Sequence, residues 1–498
     1  MGIIIKQSVR GAFWSYLGIA IGYINVGIIM PQFFDTAQIG LVQIFIALSL
    51  IFSQFATLGF TSVINRMFPI FRDPAHQHNG FLVLALITGL AGLAVSTLGF
   101  FLLKPWIVES NIEKSALFVD YLFWLLPLIG MRLLFTLLDN YNKVLYDAVT
   151  GTFWLDFMHK LINLFLIILF ALGWINFRIF FLGYLLSMSI PVFPVIFALM
   201  RRNEFHLRPD FTFLKPALKK EIRVVMLFGM INGFSGILLM NVDKVLVNQF
   251  LSLDEVGIFG VCALFASLIR VPYNSISKIA VGIIAESWKR NDIAHIREIY
   301  QKSALNQAIA GTLIFVGILV NLDNIFEILP PVYSQGRSVI IVYSAGMLLV
   351  TIIGLAGNIT ETSSLFRFTT LFMGISIVLQ FVLSFLLIPR FGITGAAWAT
   401  VITLVTNSMF QAGLQKIVYG IAGVNLRLLL VAGIGFVSFL AAYLVPGLAL
   451  IPDILVRSSV VVLVYFSLTY FLKVSVDLNQ LIRDISRQLM GIAGVNRK

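Results

Sequence analysis

The chain has 498 residues, 59% of them hydrophobic and only 12% charged, with a mean hydropathy of +0.96 and a net charge of +12. So few charges exclude a soluble protein of this length, which could not cover its surface with them. In a membrane protein the basic excess belongs to loops on the cytoplasmic side and not to a nucleic-acid footprint. The one cysteine, Cys262, excludes an internal disulfide and a thiolate metal cluster, and His76 and His78 sit on a polar loop with no third ligand nearby.

Along the chain, Lys6 and Arg10 precede an apolar stretch in the manner of a signal peptide. No small-residue cleavage site ends that stretch and more apolar runs follow, so it is read as the first membrane helix. Runs of about 20 apolar residues are long enough to cross a bilayer as helices. They predict fourteen spans, at 11–30, 40–62, 80–103, 117–138, 152–172, 178–200, 224–247, 256–283, 303–322, 338–357, 367–388, 392–415, 427–446 and 454–473. The alternating strands of an outer-membrane barrel are absent. The predicted fold is therefore an all-α polytopic membrane protein. Most of the 35 Lys and Arg fall on the side of the N-terminus, whereas the opposite loops hold Lys104, Lys114, Arg178, Arg337, Arg390 and Arg457. This bias predicts both termini in the cytoplasm and an even number of spans. The outer loops are too short for a folded domain. The longest inner loops are 201–223 and 284–302. The second, with Trp288, Ile293, Ile296 and Ile299 against Lys289, Arg290, Arg297 and Glu298, is expected to lie along the membrane face. The tail repeats the pattern with Leu478, Leu481, Ile482 and Ile485.

A shift of 217 residues lays PQFFDTAQIGLVQIF at 31–45 on NQFLSLDEVGIFGVC at 248–262. Gln32, Phe33 and Gly40 match Gln249, Phe250 and Gly257, and Gln38 meets Glu255. Each segment is the outer turn between the first two spans of a half. Parallel six-span repeats are a transporter architecture with substrate bound between the halves. The expected division is an N-lobe at 1–200, an inter-lobe loop at 201–223, a C-lobe at 224–415, two appended helices at 416–473 and a cytoplasmic tail at 474–498.

The segment DKVLVNQFLSLDEVGIFGV and the turn LIPRFGITGAAWATVIT at 387–403 resemble the polysaccharide exporters of the multidrug/oligosaccharidyl-lipid/polysaccharide superfamily. FFDTAQIGLVQIF, followed by Thr57-Leu58-Gly59-Phe60 and Asn65-Arg66, has the same character in the first half. The resemblance spans nearly the whole chain. It implies two six-helix lobes around a central cavity, and flipping of an undecaprenyl-diphosphate-linked oligosaccharide or related lipid-linked glycan across the bacterial inner membrane.

Charged residues inside spans are costly unless they are paired or hydrated, so they mark candidate sites. Arg270 sits midway along its span, with Asn274, Ser277 and Lys278 following on the same face and Pro272 as a possible source of a kink. Asn232, Ser235 and Asp243 form a polar face on span 7. Lys244 is turned by roughly 100° from Asp243, so no direct pair between the two is expected. Arg132 and Asp139 lie seven apart on span 4, and Asp156, His159 and Lys160 form a group on span 5. Carboxylate beside imidazole suits a proton relay. Ser15, Gly18, Gly22 and Asn25 on span 1, Gln54, Thr57, Thr61 and Asn65 on span 2, and Thr400, Thr403, Asn407, Gln411 and Gln415 on span 12 point to a wet interior. Structural ion pairs and plain helix packing compete with each of these readings.

The expected substrate contacts are Arg270, Lys278, Asn274, Arg132, Lys244, Asn25 and Asn232, with basic groups holding a diphosphate. Asp243, Asp156, His159 and Lys160 are the expected ion-coupling residues. No catalytic residue, metal or cofactor is expected. The expected partners are a lipid-linked glycan, membrane lipid, a proton or sodium counter-ion and glycan-assembly enzymes, with no nucleic acid. The chain has no GxxxxGK[ST] motif, so an ion or substrate gradient must drive it. Two rivals stand against the flippase. One is a cation-coupled multidrug antiporter of the same superfamily, which needs an acidic cavity. The other is a membrane glycan polymerase or ligase, which needs a sizeable outer loop.

Overall fold

The computed structural model describes residues 2–210, 212–423, 426–475 and 479–480, and no strand occurs among them. The amphipathic face predicted at Leu478, Leu481, Ile482 and Ile485 lies outside a continuous described stretch, and all of its residues are outside the described set. Thirteen helices among the described residues are long and apolar enough to cross a membrane. Spans 1 to 6 are Arg10–Phe33, Thr36–Ala56, Pro74–Asn111, Ala116–Val144, Val149–Ala171 and Phe177–Arg201; spans 7 to 10 are Pro216–Phe250, Leu253–Lys289, Ile293–Val320 and Pro331–Ile353. The continuous stretch Phe366–Tyr419 contains a reversal at Gly392, whose φ of 58° and ψ of −140° are not helical. A Cβ on Gly395 would lie 2.2 Å from the Leu387 carbonyl oxygen, so the two arms meet in a tight turn that only glycines permit. This stretch therefore supplies spans 11 and 12, and Leu426–Tyr443 and Leu450–Phe471 are spans 13 and 14.

Span 2 ends earlier than its hydropathy predicts. Leu58 and Gly59 take φ of 48° and 75°, Gly59 N–H donates to Thr57 Oγ1 at 3.2 Å, and a new helix runs over Phe60–Phe71. The loop at 284–302 also differs from expectation. It forms no separate helix, but the ends of spans 8 and 9 joined by a turn at Arg290–Asp292. Asn291 has φ of 55°, Asp292 Oδ1 accepts from the His295 N–H at 2.9 Å, and Ile296 is buried against Ile284 and Ile421. A local cap and a buried hydrophobe override an amphipathic period that extends over both helix ends.

The chain divides into two units. Unit 1 comprises Met1–Val261 and Gln380–Ala396, and unit 2 comprises Cys262–Leu379 and Ala397–Lys498. In unit 1 span 7 packs along span 2. Its buried core gathers Phe60, Phe68, Phe71, Phe81 and Tyr141, with Phe68 edge-on to Tyr141 at 5.5 Å between centroids. In unit 2 spans 13 and 14 pack on span 9, where Tyr465 OH donates to the Ile309 carbonyl at 2.9 Å.

The repeat signature has a physical meaning in unit 1. Asp35 caps span 2 and forms a capping box with Gln38, and Ser252, its counterpart 217 residues on, accepts from the Glu255 N–H at 3.4 Å at the start of span 8. Two residues beyond each N3 position stands a glycine. A Cβ on Gly40 would lie 1.9 Å from the Leu253 oxygen, and one on Gly257 would lie 2.1 Å from the Thr36 oxygen. Thr36 and Leu253 are themselves repeat partners, so the two contacts are images of each other. Thr36 Oγ1 also donates to Asp254 Oδ1.

Candidate functional site

Within unit 1, spans 1, 4, 5 and 6 assemble a charged interior. Span 5 widens after its first turn into a π-helical stretch, Phe153–Met158, and span 1 contains another at Asn25–Ile29. Such local widening re-aims side chains and recurs at functional sites. Asp156 accepts from Ser15 Oγ at 2.8 Å and lies within electrostatic reach of Lys160. Asn25 Nδ2 donates to the Lys160 carbonyl at 2.8 Å, while its Oδ1 is buried and has no hydrogen-bond partner among the described residues. Glycines let span 1 approach. A Cβ on Gly18 would strike the Asp156 carbonyl at 1.8 Å, and one on Gly22 would meet the Lys160 stem at 3.0 Å.

His159 is buried and its Nδ1 lies 2.8 Å from the Leu155 carbonyl. A carbonyl only accepts, so Nδ1 carries a proton. The charges acting on this ring are those of Lys160 and Arg132, while the Asp156 carboxylate has its hydrogen bond from Ser15. Arg132 is half-buried and also acts on Tyr184. Asp139 pairs with Lys143 Nζ at 2.5 Å, one turn along its own helix, and Gly151 is pressed against its other oxygen. Asp139, Asp147 and Asp156 interact electrostatically, and Asp147 binds Arg202. The group thus sets the side chains of Arg132, Lys143, Lys160 and Arg202 beside those of Asp139, Asp147 and Asp156. Sequence reading did not pick out Asp147, Tyr184, or the Asn163–Ser187 pair, in which Ser187 Oγ donates to Asn163 Oδ1 at 2.5 Å. Asn163 stands one turn after His159, which was the available signal.

On span 7, Asp243 is 1% exposed and Lys244 is half-buried. Lys244 Nζ lies 3.8 Å from Asp243 Oδ1, and the Lys244 N–H donates to the same oxygen at 2.8 Å. The expectation that neighbours turned by 100° would not pair is corrected here. The four-carbon stem wraps back around the helix, because a buried carboxylate in a poorly screened interior draws the nearest cation. Asn232 is half-buried on the same helix, beside Gly233, whose Cα faces the Gln54 amide of span 2. Asn248, further along, donates to Asn111 Oδ1 at 2.6 Å and accepts from Ser115 Oγ at 2.8 Å.

Unit 2 carries the other group. The kink expected from Pro272 is a 3-10 turn over Leu268–Arg270, directly before the helix that Pro272 opens at Val271–Lys289. The Arg270 guanidinium stands 5.5 Å from the Tyr273 ring centroid, and Tyr273 OH donates to Asn358 Oδ1 at 3.0 Å. Glu361 also acts on Tyr273. Arg270, Asn274 and Lys278 follow at one-turn intervals, and Asn274 and Lys278 are exposed. Tyr273, Asn358 and Glu361 went unread in the sequence, since a short helix at Ala356–Thr362 brings the last two in. On span 12, side-chain oxygens of Thr403, Asn407, Gln411 and Gln415 are buried without a hydrogen-bond partner among the described residues. Gln415 Nε2 donates to Thr360 Oγ1 at 2.8 Å.

The expected site residues therefore fall into three places. Arg132, Asn25, Asp156, His159 and Lys160 come together in unit 1; Asp243, Lys244 and Asn232 lie along span 7; and Arg270, Asn274 and Lys278 share a face in unit 2.

No family model matches the chain, and no curated protein matches it. Solved structures do. The lipid II flippase MurJ in an inward closed conformation superposes with a TM-score of 0.74 at 11% identity, over 94% of this chain and 98% of that one. An inward-facing multidrug resistance MATE family transporter of the MOP superfamily gives 0.64 at 14% identity, over 83% and 96%. The MATE transporter ClbM in complex with Rb+ gives 0.53 at 16% identity, over 86% and 96%. The chain is a multi-pass membrane protein with the fold shared by these transporters.

Proposed function

We propose that the protein is a flippase that moves a lipid-linked oligosaccharide or polysaccharide precursor, of the undecaprenyl-diphosphate type, across the bacterial inner membrane by alternating access. The observation that carries this reading is the polar, cationic helix face of half-buried Arg270 and exposed Asn274 and Lys278 within a membrane span. Exposed basic groups at that depth need water and an anionic partner. A diphosphate meets Arg270 in a forked geometry and Lys278 as a point charge. Arg132, Lys244, Asn25 and Asn232 serve the same ligand as further polar contacts. Asp243, Asp156, His159 and Lys160 couple transport to a proton or sodium ion. The proposed division is an N-lobe at 1–200 and a C-lobe at 224–415 with helices at 416–473 appended, and both termini face the cytoplasm. The likeness to a structure titled as a lipid II flippase supports the choice of a lipid-linked substrate.

The buried carboxylate of Asp243 favours a second reading, cation-coupled efflux of drugs, as in the MATE transporters that share the fold. Reconstituted protein separates the two. Under the flippase reading, a lipid-linked oligosaccharide placed in the inner leaflet of proteoliposomes becomes accessible to an external glycosidase at a rate set by the protein, and a cationic dye is not expelled. Dye efflux driven by a pH or sodium gradient, without glycan movement, overturns it.

A further inference from the structure

A groove of about 800 Å³ opens on unit 1 between the start of span 5 and the end of span 6, and meets the charged group only at Arg202. Its origin lies in the backbone. Span 6 breaks at Ile190–Pro191 between the helices Phe177–Ser189 and Val192–Arg201, and Pro194 follows one turn later. Opposite, the π-helical stretch of span 5 turns Trp154 toward the gap. The walls are apolar, with Phe193 59% and Phe197 66% exposed. The mouth is cationic and polar, being lined by Arg201, Arg202 and Thr150.

The two arginines differ. Arg202 is held by Asp147, which is buried and also accepts from the Thr150 hydroxyl at 2.7 Å and from the Val149 and Thr150 N–H groups. Arg201 makes no ion pair among the described residues and is exposed. Arg201 and Arg202 begin the segment 201–223, which carries seven Lys and Arg against three Asp and Glu. Apolar walls and two guanidinium groups at the basic end, one held by Asp147 and one exposed, match one class of occupant. We propose that the groove binds an anionic phospholipid of the inner leaflet, its phosphate on Arg201 at the mouth and its chains along Phe193, Phe197 and Trp154. Basic pockets between helices on the cytoplasmic side are suited to such headgroups, and the walls supply the apolar area that free phosphate does not use.

The test reads binding, not transport, so it is independent of the flippase reading. Full-length protein in mild detergent is titrated with phosphatidylglycerol or phosphatidylcholine, and bound lipids are counted by native mass spectrometry. Phosphatidylglycerol is expected to persist where phosphatidylcholine dissociates. Arg201→Gln should weaken phosphatidylglycerol retention roughly tenfold, the weight of one charge-assisted hydrogen bond, and leave phosphatidylcholine unchanged. Ala198→Trp, which fills the groove and keeps both arginines, should also release phosphatidylglycerol. Arg208→Gln, which removes a loop cation outside the groove, should not. Because Arg201 is exposed, its variant tests the site even if the tryptophan variant is poorly folded. Equal retention of the two lipids, or wild-type retention by Arg201→Gln, overturns the proposal. So does displacement of phosphatidylglycerol by excess inorganic pyrophosphate, which would mark a phosphate site with no use for lipid chains.

Discussion

Arg270 combines a mid-span position, a stacked ring and a one-turn run of polar neighbours. Under the proposed function, Arg270→Ala abolishes glycan flipping while the protein still inserts and melts normally. Arg270→Lys restores only part of the rate, because a point charge cannot reproduce the planar fork that grips a diphosphate and stacks on Tyr273. Flipping rates in proteoliposomes, normalised to inserted protein, check this. A second residue-scale prediction concerns Asp147, outside the spans. Its burial raises the carboxyl, but hydrogen bonds from Thr150 and the charge of Arg202 outweigh that and hold it below the usual carboxylate range. A depressed folded-state value means that the ionised form stabilises the fold above the unfolded value of about 3.9, and that this contribution is lost as pH falls through the folded value. Asp147→Asn should therefore melt earlier than the wild type at neutral pH, where Arg202 loses its partner. The gap should close as the medium is acidified below roughly pH 4. A melting series in detergent from neutral to acid pH decides it; a gap of constant size would assign the loss to packing.

At the scale of elements, the crossing of spans 2 and 8 rests on two glycines that let one helix backbone touch the other. Gly40→Ala and Gly257→Ala each force a methyl group into a backbone carbonyl, which cannot rotate away as a side chain would. Overpacking of this kind costs typically about 1–3 kcal/mol. Because the two residues share one contact, the double variant should lose less than the sum of the single losses. Thermal unfolding of the three variants measures both effects. Additive losses would mean that the two contacts yield independently.

At the scale of the whole molecule, the distribution of Lys and Arg predicts which loops face the cytoplasm. Cys262 is buried and is the only cysteine, so a Cys262→Ser background gives a clean reporter. A cysteine at Arg208 should react with a membrane-impermeant maleimide only after the cytoplasmic face is opened, whereas one at Lys114 should react in intact cells. The reverse pattern would invert the proposed topology, and would move the groove between spans 5 and 6 to the other leaflet.

The sequence alone determined the helical membrane class, the approximate position of each span and the repeat between the segments 31–45 and 248–262. Hydropathy is summed locally over some twenty residues, and no distant contact changes the sum. It also located the charges inside the spans, because a charge in an apolar run is conspicuous wherever its partner lies. What those charges touch was decided only by tertiary structure. Asp156 finds Ser15 across 141 positions, and the Arg270 group gains Asn358 and Glu361 from a short helix beyond span 10. The side chain of Lys244 returns to Asp243, against what helix geometry alone suggests. Helical period fixes the direction of a Cβ, but a long flexible side chain follows the strongest field within its reach, and that field is made by neighbours which only the packed helices bring together.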